Sequence, residues 1–183
     1  TAQYFTTFND PRLRTMDTRS YASVTYEHEF EDVAGVLARV YYDQNNYEIG
    51  YPVGDPVATA FFGEQQAGEW WGAELQVNKR LWDKHILTVG GEYRDDFQQV
   101  QRVYDVATGA LFTDEHRTRQ SYGAFVQGDF AVRTNLHLTG GVRYDQYGDF
   151  DPSVNPRLAV IYHPVETATL KLLYGTAYRA PNF

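Results

Sequence analysis

Ten side chains in two polar stretches have the types and spacing to bind a ligand. Tyr47, Tyr51, Phe61, Phe62 and Trp70 fall in or beside Gln44 to Gly68, and Tyr104, Phe112, His116, Arg117 and Arg119 belong to Asp95 to Arg119. Aromatic faces hold planar molecules such as catecholates and other flat chelates, and Arg pairs with their anionic oxygens. The same aromatics also suit packing within loops or extension of an aromatic belt. Asp95-Asp96 and Asp149-x-Asp151 offer oxygen ligands of the kind calcium takes, although solvated loops carry such residues equally well. His28, His85, His116, His137 and His163 are dispersed without metal-ligand spacing, so no metal set is expected. The absence of cysteine removes disulfides, zinc–thiolate sites and thiol nucleophiles together. No G-x-S-x-G, H-E-x-x-H, Walker loop or G-x-G-x-x-G occurs, so neither a covalent step nor a cofactor is expected.

The elements that must position these residues are strands. Period-two alternation recurs in about eight segments. Their apolar faces are Ala22, Val24, Tyr26 and Phe30; Val36, Ala38, Val40 and Tyr42; Trp71, Ala73, Leu75 and Val77; and Leu87, Val89, Gly91 and Tyr93. Tyr122, Ala124, Val126 and Phe130 follow, then Leu136, Leu138, Val142 and Tyr144, then Leu158, Val160 and Tyr162, and finally Leu170, Leu172 and Tyr174. Residues 1–8 carry a poor strand pattern. The intervening positions are polar and of mixed sign, including Glu27, Glu29, Arg39, Glu74, Arg80, Glu92, Arg94, Asp129, Arg143, Arg157 and Lys171.

Mean hydropathy of -0.52 suits a soluble protein, yet a membrane barrel that alternates lipid-facing and lumen-facing residues has the same average. No run of eighteen apolar residues is present, which excludes a transmembrane helix from the sequence. A net charge of -8 with no basic run argues against a nucleic-acid partner. The aromatic share of 16% fits interfacial girdles or a chelate-binding surface. Thr1 to Phe5 shows neither a basic n-region nor an apolar h-region, so the expectation is a signal already removed or an internal segment.

Every other connection reads as short. Glu31 to Gly35, Leu81 to Lys84, Ala131 to Thr134 and Pro164 to Thr167 are expected as tight turns; Gln44 to Gly68, Asp95 to Arg119 and Tyr147 to Asn155 are expected as long loops. Up-and-down membrane barrels have short periplasmic turns and long extracellular loops in this alternation. Oriented so, Phe30, Trp82, Phe130 and Tyr162 lie near the short turns, and Tyr42, Trp71, Tyr93, Tyr122 and Tyr144 near the long connections. Tyr122 to Phe130 covers about 26 Å of strand, roughly 20 Å after a tilt of about 40°, close to the lipid-facing band of about 25 Å. A soluble sheet protein burying the same faces against a second sheet is the competing fold.

The carboxyl-terminal third adds motifs. Gly141-Val142-Arg143-Tyr144-Asp145, then Asn155-Pro156-Arg157-Leu158-Ala159, then Tyr174-Gly175-Thr176-Ala177-Tyr178-Arg179-Ala180-Pro181-Asn182-Phe183 resemble, in this order, the barrel of the TonB-dependent outer-membrane receptors. The resemblance covers about Thr18 to Phe183, with its specific motifs after Gly141. It implies an all-β, antiparallel transmembrane β-barrel segment, about eight strands of a plugged barrel of about 22. It also implies the outer membrane of a Gram-negative bacterium and active uptake of an iron–siderophore, cobalamin or similar nutrient. The implied partners are outer-membrane lipid, the nutrient ligand, a plug domain of the same protein, and the TonB complex acting through regions missing here. Residues 1–183 are then part of the barrel domain, with plug and TonB box absent. Pro181 interrupts alternation before Phe183, so the chain is expected to stop at the mouth of an extracellular loop. Two other classes remain: a small closed barrel with a structural, adhesive or passive-diffusion role, and a barrel-embedded hydrolase, for which no Ser-His-acid constellation is recognisable.

Overall fold

The computed structural model describes residues 11–31, 34–53 and 60–178. The poor strand pattern of residues 1–8 and the Arg179–Phe183 end of the last motif lie outside the described residues. Each alternating segment forms a strand: β1 (Arg14–Phe30), β2 (Ala34–Val53), β3 (Ala60–Leu81), β4 (His85–Asp105), β5 (Leu111–Arg133), β6 (Leu136–Tyr147), β7 (Ser153–Val165) and β8 (Ala168–Gly175). They make one eight-stranded sheet in sequence order. The β5–β6, β6–β7 and β7–β8 pairs are antiparallel. The other connections are at most six residues long, whereas a parallel crossover needs a dozen or more, so those pairs are antiparallel too.

Register places the apolar stripes of β5 to β8 on one face. Ala124 lies opposite Tyr144, Val126 opposite Val142 and Phe130 opposite Leu138. Leu138 continues to Val160 and Tyr144 to Val154, and Val160 pairs with Leu172 and Leu158 with Tyr174. Because side chains alternate with period two, correct pairing at one position carries the whole stripe to the same side. This face has no covering layer among the described residues: Val126, Val142, Leu158, Leu170 and Leu172 are all exposed, and Ile49 is the one buried hydrophobic residue among them. Among the described residues the buried charged ones are Asp43, Asp96 and Asp145. A water-soluble sandwich would show the opposite distribution.

Several charges on the polar face are paired, the buried Asp145 among them, as a carboxylate leaving water requires. Arg143 Nε donates to both oxygens of Asp145, at 2.8 and 3.0 Å, and its Nη2 also bonds Glu92. Glu92 is on β4 and Arg143 on β6, so this contact spans β5. It passes over Gly123, where an added Cβ would lie 2.7 Å from Arg143 Nη2 and from Asp145 Oδ1; only glycine leaves the space. Thr139 Oγ1 donates to Asp129 at 2.6 Å, and Arg39 stands 3.8 Å from Glu74.

The expected tight turns between β3 and β4, β5 and β6, and β7 and β8 appear, and residues 32–33 of the first lie outside the described residues; the long loops do not appear. Most of Gln44 to Gly68 is strand, since β2 runs to Val53 and β3 starts at Ala60; Asp95 to Arg119 is a hairpin with only residues 106–110 between strands; β6 and β7 are separated by residues 148–152. Beyond the apolar stripe neither face needs nonpolar side chains, so the alternation signal ends while the hydrogen-bond ladder continues. At 23 residues, β5 reaches about 75 Å if fully extended, about three times the lipid-facing band.

These strands divide into two compact units. The first comprises Thr1–Ala22, Tyr41–Trp71 and Asp95–Arg119, and the second Ser23–Val40, Gly72–Arg94 and Gln120–Phe183.

Candidate functional site

All ten candidate residues stand on strands, not loops: Tyr47 and Tyr51 on β2, Phe61, Phe62 and Trp70 on β3, Tyr104 on β4, and Phe112, His116, Arg117 and Arg119 on β5. A ladder-held backbone fixes their positions more firmly than a loop would.

Three of the aromatics meet. The Phe62 ring is 6.2 Å from that of Tyr51 and 5.3 Å from that of Phe112, the latter edge-on at 67°. Edge-on contact is a favoured aromatic geometry, and Phe112 remains 61% exposed, so the cluster shows ring surface to solvent. Burial, followed by the nearby Glu64, pushes the Tyr51 phenol up, which keeps it a neutral hydroxyl at physiological pH. Next to Phe62, Gly63 lies under the Tyr104 ring. A Cβ there would come within 2.5 Å of the ring carbon Cζ, so glycine permits this close approach. The Phe61 carbonyl accepts from Val106 N–H at 2.8 Å, tying the β4–β5 turn to β3.

A charged group follows along the same hairpin. Arg102 Nε donates to Asp114 Oδ1 at 2.8 Å, and Arg102 Nη2 is 3.2 Å from His116 Nε2, itself 3.3 Å from Asp114. The hydrogen bond from Arg102 leads in holding the Asp114 carboxyl below its usual range. At the tip, Asp105 Oδ1 accepts from the Thr108 N–H at 2.7 Å and from its hydroxyl at 2.9 Å. Gly109 supplies the positive φ of 70° that the turn needs. Those bonds, the backbone one first, lower the Asp105 pKa.

The remaining candidates make other contacts. Arg117 pairs with Glu115 on its own strand at 3.4 Å. Arg119 approaches Asp96 at 3.6 Å, and Asp96 is only 1% exposed, so this guanidinium serves the wall. Trp70 lies near Gly68, and Tyr47 is half-buried on β2. Of the possible calcium ligands, Asp96 is thus enclosed against an arginine, whereas Asp149 and Asp151 are exposed in the β6–β7 turn. No group of three or more metal-capable side chains forms among the described residues. A separate concavity of about 920 Å³, within the second unit, is lined by Glu29, Asn78, Arg80, Thr88 and Asp129 among others.

Sequence reasoning missed Arg102, Asp105, Gly63 and Asp114. The Asp105–Thr108-Gly109 spacing was the available signal: an Asx turn closed by a left-handed glycine marks a tight hairpin, which would have paired Arg102 with Asp114.

The fold is shared with known structures. A variant of the ferric enterobactin receptor PfeA of Pseudomonas aeruginosa is 20% identical with a TM-score of 0.71, over 92% of this chain and 26% of that one. The copper transporter OprC is 19% identical with a TM-score of 0.78, over 94% and 32%. FpvAI, in its complex with pyocin S2, is 14% identical with a TM-score of 0.65, over 87% and 26%. At such identities the likeness is one of fold, and the chain spans about a quarter to a third of the length of these proteins. No curated protein matches the sequence. Residues 1–183 match the family described as TonB dependent receptor-like, beta-barrel. The chain therefore belongs to the TonB-dependent receptor family of β-barrel proteins, which are transporters and not enzymes, and its place is the outer membrane of a Gram-negative bacterium.

Proposed function

We propose that this chain is wall and extracellular hairpins of a plugged transmembrane barrel of about 22 strands, and that the intact protein imports a scarce nutrient with energy delivered through the TonB complex. The observation that carries the reading is the family match along residues 1–183. An exposed apolar stripe, with charged residues and several ion pairs on the opposite face, supports it. In this arrangement lipid covers the Val126 stripe, and a plug of the same protein covers the face bearing Arg143 and Asp145. Residues 1–183 supply no energy-coupling element.

Two similar structures are named as a ferric enterobactin receptor and a copper transporter, and we infer a ligand of that kind: an iron–siderophore, cobalamin or similar nutrient. The Tyr51–Phe62–Phe112 cluster offers ring faces to a planar chelate, and Arg102, His116 and Arg117 offer donors to its anionic oxygens. Tyr47, Phe61, Trp70 and Tyr104 complete the set, with Tyr104 and Phe61 shaping the hairpin contacts beside the cluster; Arg119, turned to Asp96, stands outside it. The chemistry is binding and release; no bond is made or broken.

The test uses the full-length receptor in cells with and without the TonB complex and follows labelled ferric chelate and cobalamin. Saturable accumulation that requires TonB and falls when Phe62 and Phe112 are both changed to Ala is the expected result. Non-saturable uptake that persists without TonB would assign the barrel to passive diffusion.

A further inference from the structure

The β3–β4 turn reads Leu81-Trp82-Asp83-Lys84-His85, and both of its central residues are left-handed, Trp82 at φ 47° and Asp83 at φ 60°. Lys84 N–H closes it onto the Leu81 carbonyl at 3.4 Å. Such a turn favours Gly, Asn or Asp, and Asp83 complies; a bulky β-substituted residue at positive φ is strained. Packing within the chain does not explain Trp82, because its side chain is 78% exposed. A strained, exposed tryptophan at a turn where glycine would relax the backbone points to a role outside the chain.

The surroundings of Trp82 define that role. Its indole meets the His85 ring edge-on at 5.9 Å, and His85 in turn lies 5.6 Å from Phe130, the last residue of the apolar stripe on β5. The turn therefore sits where the stripe ends. His85 Nδ1 is enclosed and makes no hydrogen bond. With Nδ1 enclosed, Nε2 is the ring nitrogen left to bond a group outside the chain. Asp83 and Lys84 are both exposed beside it.

We infer that this turn docks the headgroup of a zwitterionic glycerophospholipid in the leaflet facing the short turns, an inference resting on the transmembrane reading above. The Lys84 ammonium and His85 Nε2 suit the phosphate. The Asp83 carboxylate and the Trp82 indole face suit the headgroup ammonium, one by charge and the other by cation–π contact. Tryptophan is also the residue whose amphipathic ring settles at a membrane interface. Adjacent opposite charges select a zwitterion, because an anionic headgroup would gain Lys84 and meet Asp83.

The experiment is native mass spectrometry of the full-length receptor released from bilayers of phosphatidylethanolamine or phosphatidylglycerol, for wild type, Trp82→Gly and Lys84→Ala. Glycine suits the positive φ, so the Trp82→Gly protein is expected to fold. Both variants should retain phosphatidylethanolamine about tenfold less well than wild type, the order of one charge-assisted hydrogen bond for Lys84 and of one cation–π contact for Trp82, with phosphatidylglycerol retention unchanged. Equal phosphatidylethanolamine retention in all three proteins, or equal losses of both lipids, overturns the inference while leaving a correctly inserted barrel. An epitope inserted after Asp83 that antibodies reach on intact cells overturns the transmembrane orientation and the inference with it.

Discussion

Replacing Val126 and its neighbour Gln127 by arginine tests the face assignment with one charge moved by one residue. Val126 lies opposite Val142 in the β5–β6 register and is four residues from both Tyr122 and Phe130. Four steps of about 3.3 Å put it roughly 13 Å along the strand from either aromatic, near the middle of the lipid-facing band. An arginine on the lipid face at that depth costs about 2–4 kcal/mol. This corresponds to roughly a 30- to 700-fold loss in the folding equilibrium. Gln127 is on the other face, opposite Gly141, and its amide donates to Asp129 Oδ2 at 3.0 Å. An arginine there gains a carboxylate neighbour in a hydrated environment, so the expected change is about 0.5 kcal/mol or less. The assay is urea titration of the full-length receptor refolded into lipid, with heat-modifiable gel mobility as readout. Equal losses for Val126→Arg and Gln127→Arg, or a larger loss for the second, would refute the assignment.

Two further outcomes concern the β4–β5 hairpin. Asp105 and Asp114 are both depressed carboxylates, so what they contribute is present above the ordinary carboxylate pKa of about 4 and is lost as pH falls through their lowered values. Protection of the Thr108 and Gly109 amides, corrected for intrinsic exchange rates, should therefore stay flat from about pH 5 to 8 and drop below about pH 4; loss of protection near neutrality would show that other groups hold the turn. Gly63→Leu should displace the Tyr104 ring and weaken ligand binding about two- to tenfold, the value of one aromatic contact, with barrel stability unchanged. Unaltered affinity with Tyr104 visibly displaced would remove that residue from the site.

How much was legible depended on which solvent each segment meets. Tyr122 to Phe130 declared itself because one face must be apolar for its whole length, and that produces alternation in any single sequence. The strand past Asp95 carries no continuous apolar face, so Gln98-Gln99-Val100-Gln101-Arg102-Val103 looks like a loop although it pairs as β4. Only turn chemistry, Asp105 with Thr108 and Gly109, betrays such a hairpin, and it must be sought apart from hydrophobic pattern. Side-chain convergence was the least legible part. Tyr51, Phe62 and Phe112 come from three strands, and their meeting depends on register, which the sequence does not state. Arg119 illustrates the reverse: it lies within the binding stretch by position and turns to Asp96 in the wall.

Glycine offers a way to recover some of this convergence from sequence. A glycine inside a strand interrupts both propensity and packing, so it persists where something must pass close to the backbone. Gly123 occupies a polar-face position of β5, between charged strands on either side. The vacancy of its side chain lets Arg143 of β6 reach Glu92 of β4 while holding Asp145 on its own strand, an arrangement that a Cβ at 123 would force to shift. Gly63 under Tyr104 repeats the logic in the other unit with a ring in place of a guanidinium. In a sheet whose two faces both lack a conventional core, interior glycines thus mark where long side chains cross from strand to strand. At Gly123 the crossing places charge on the polar face, and at Gly63 it places an aromatic beside the candidate ligand cluster.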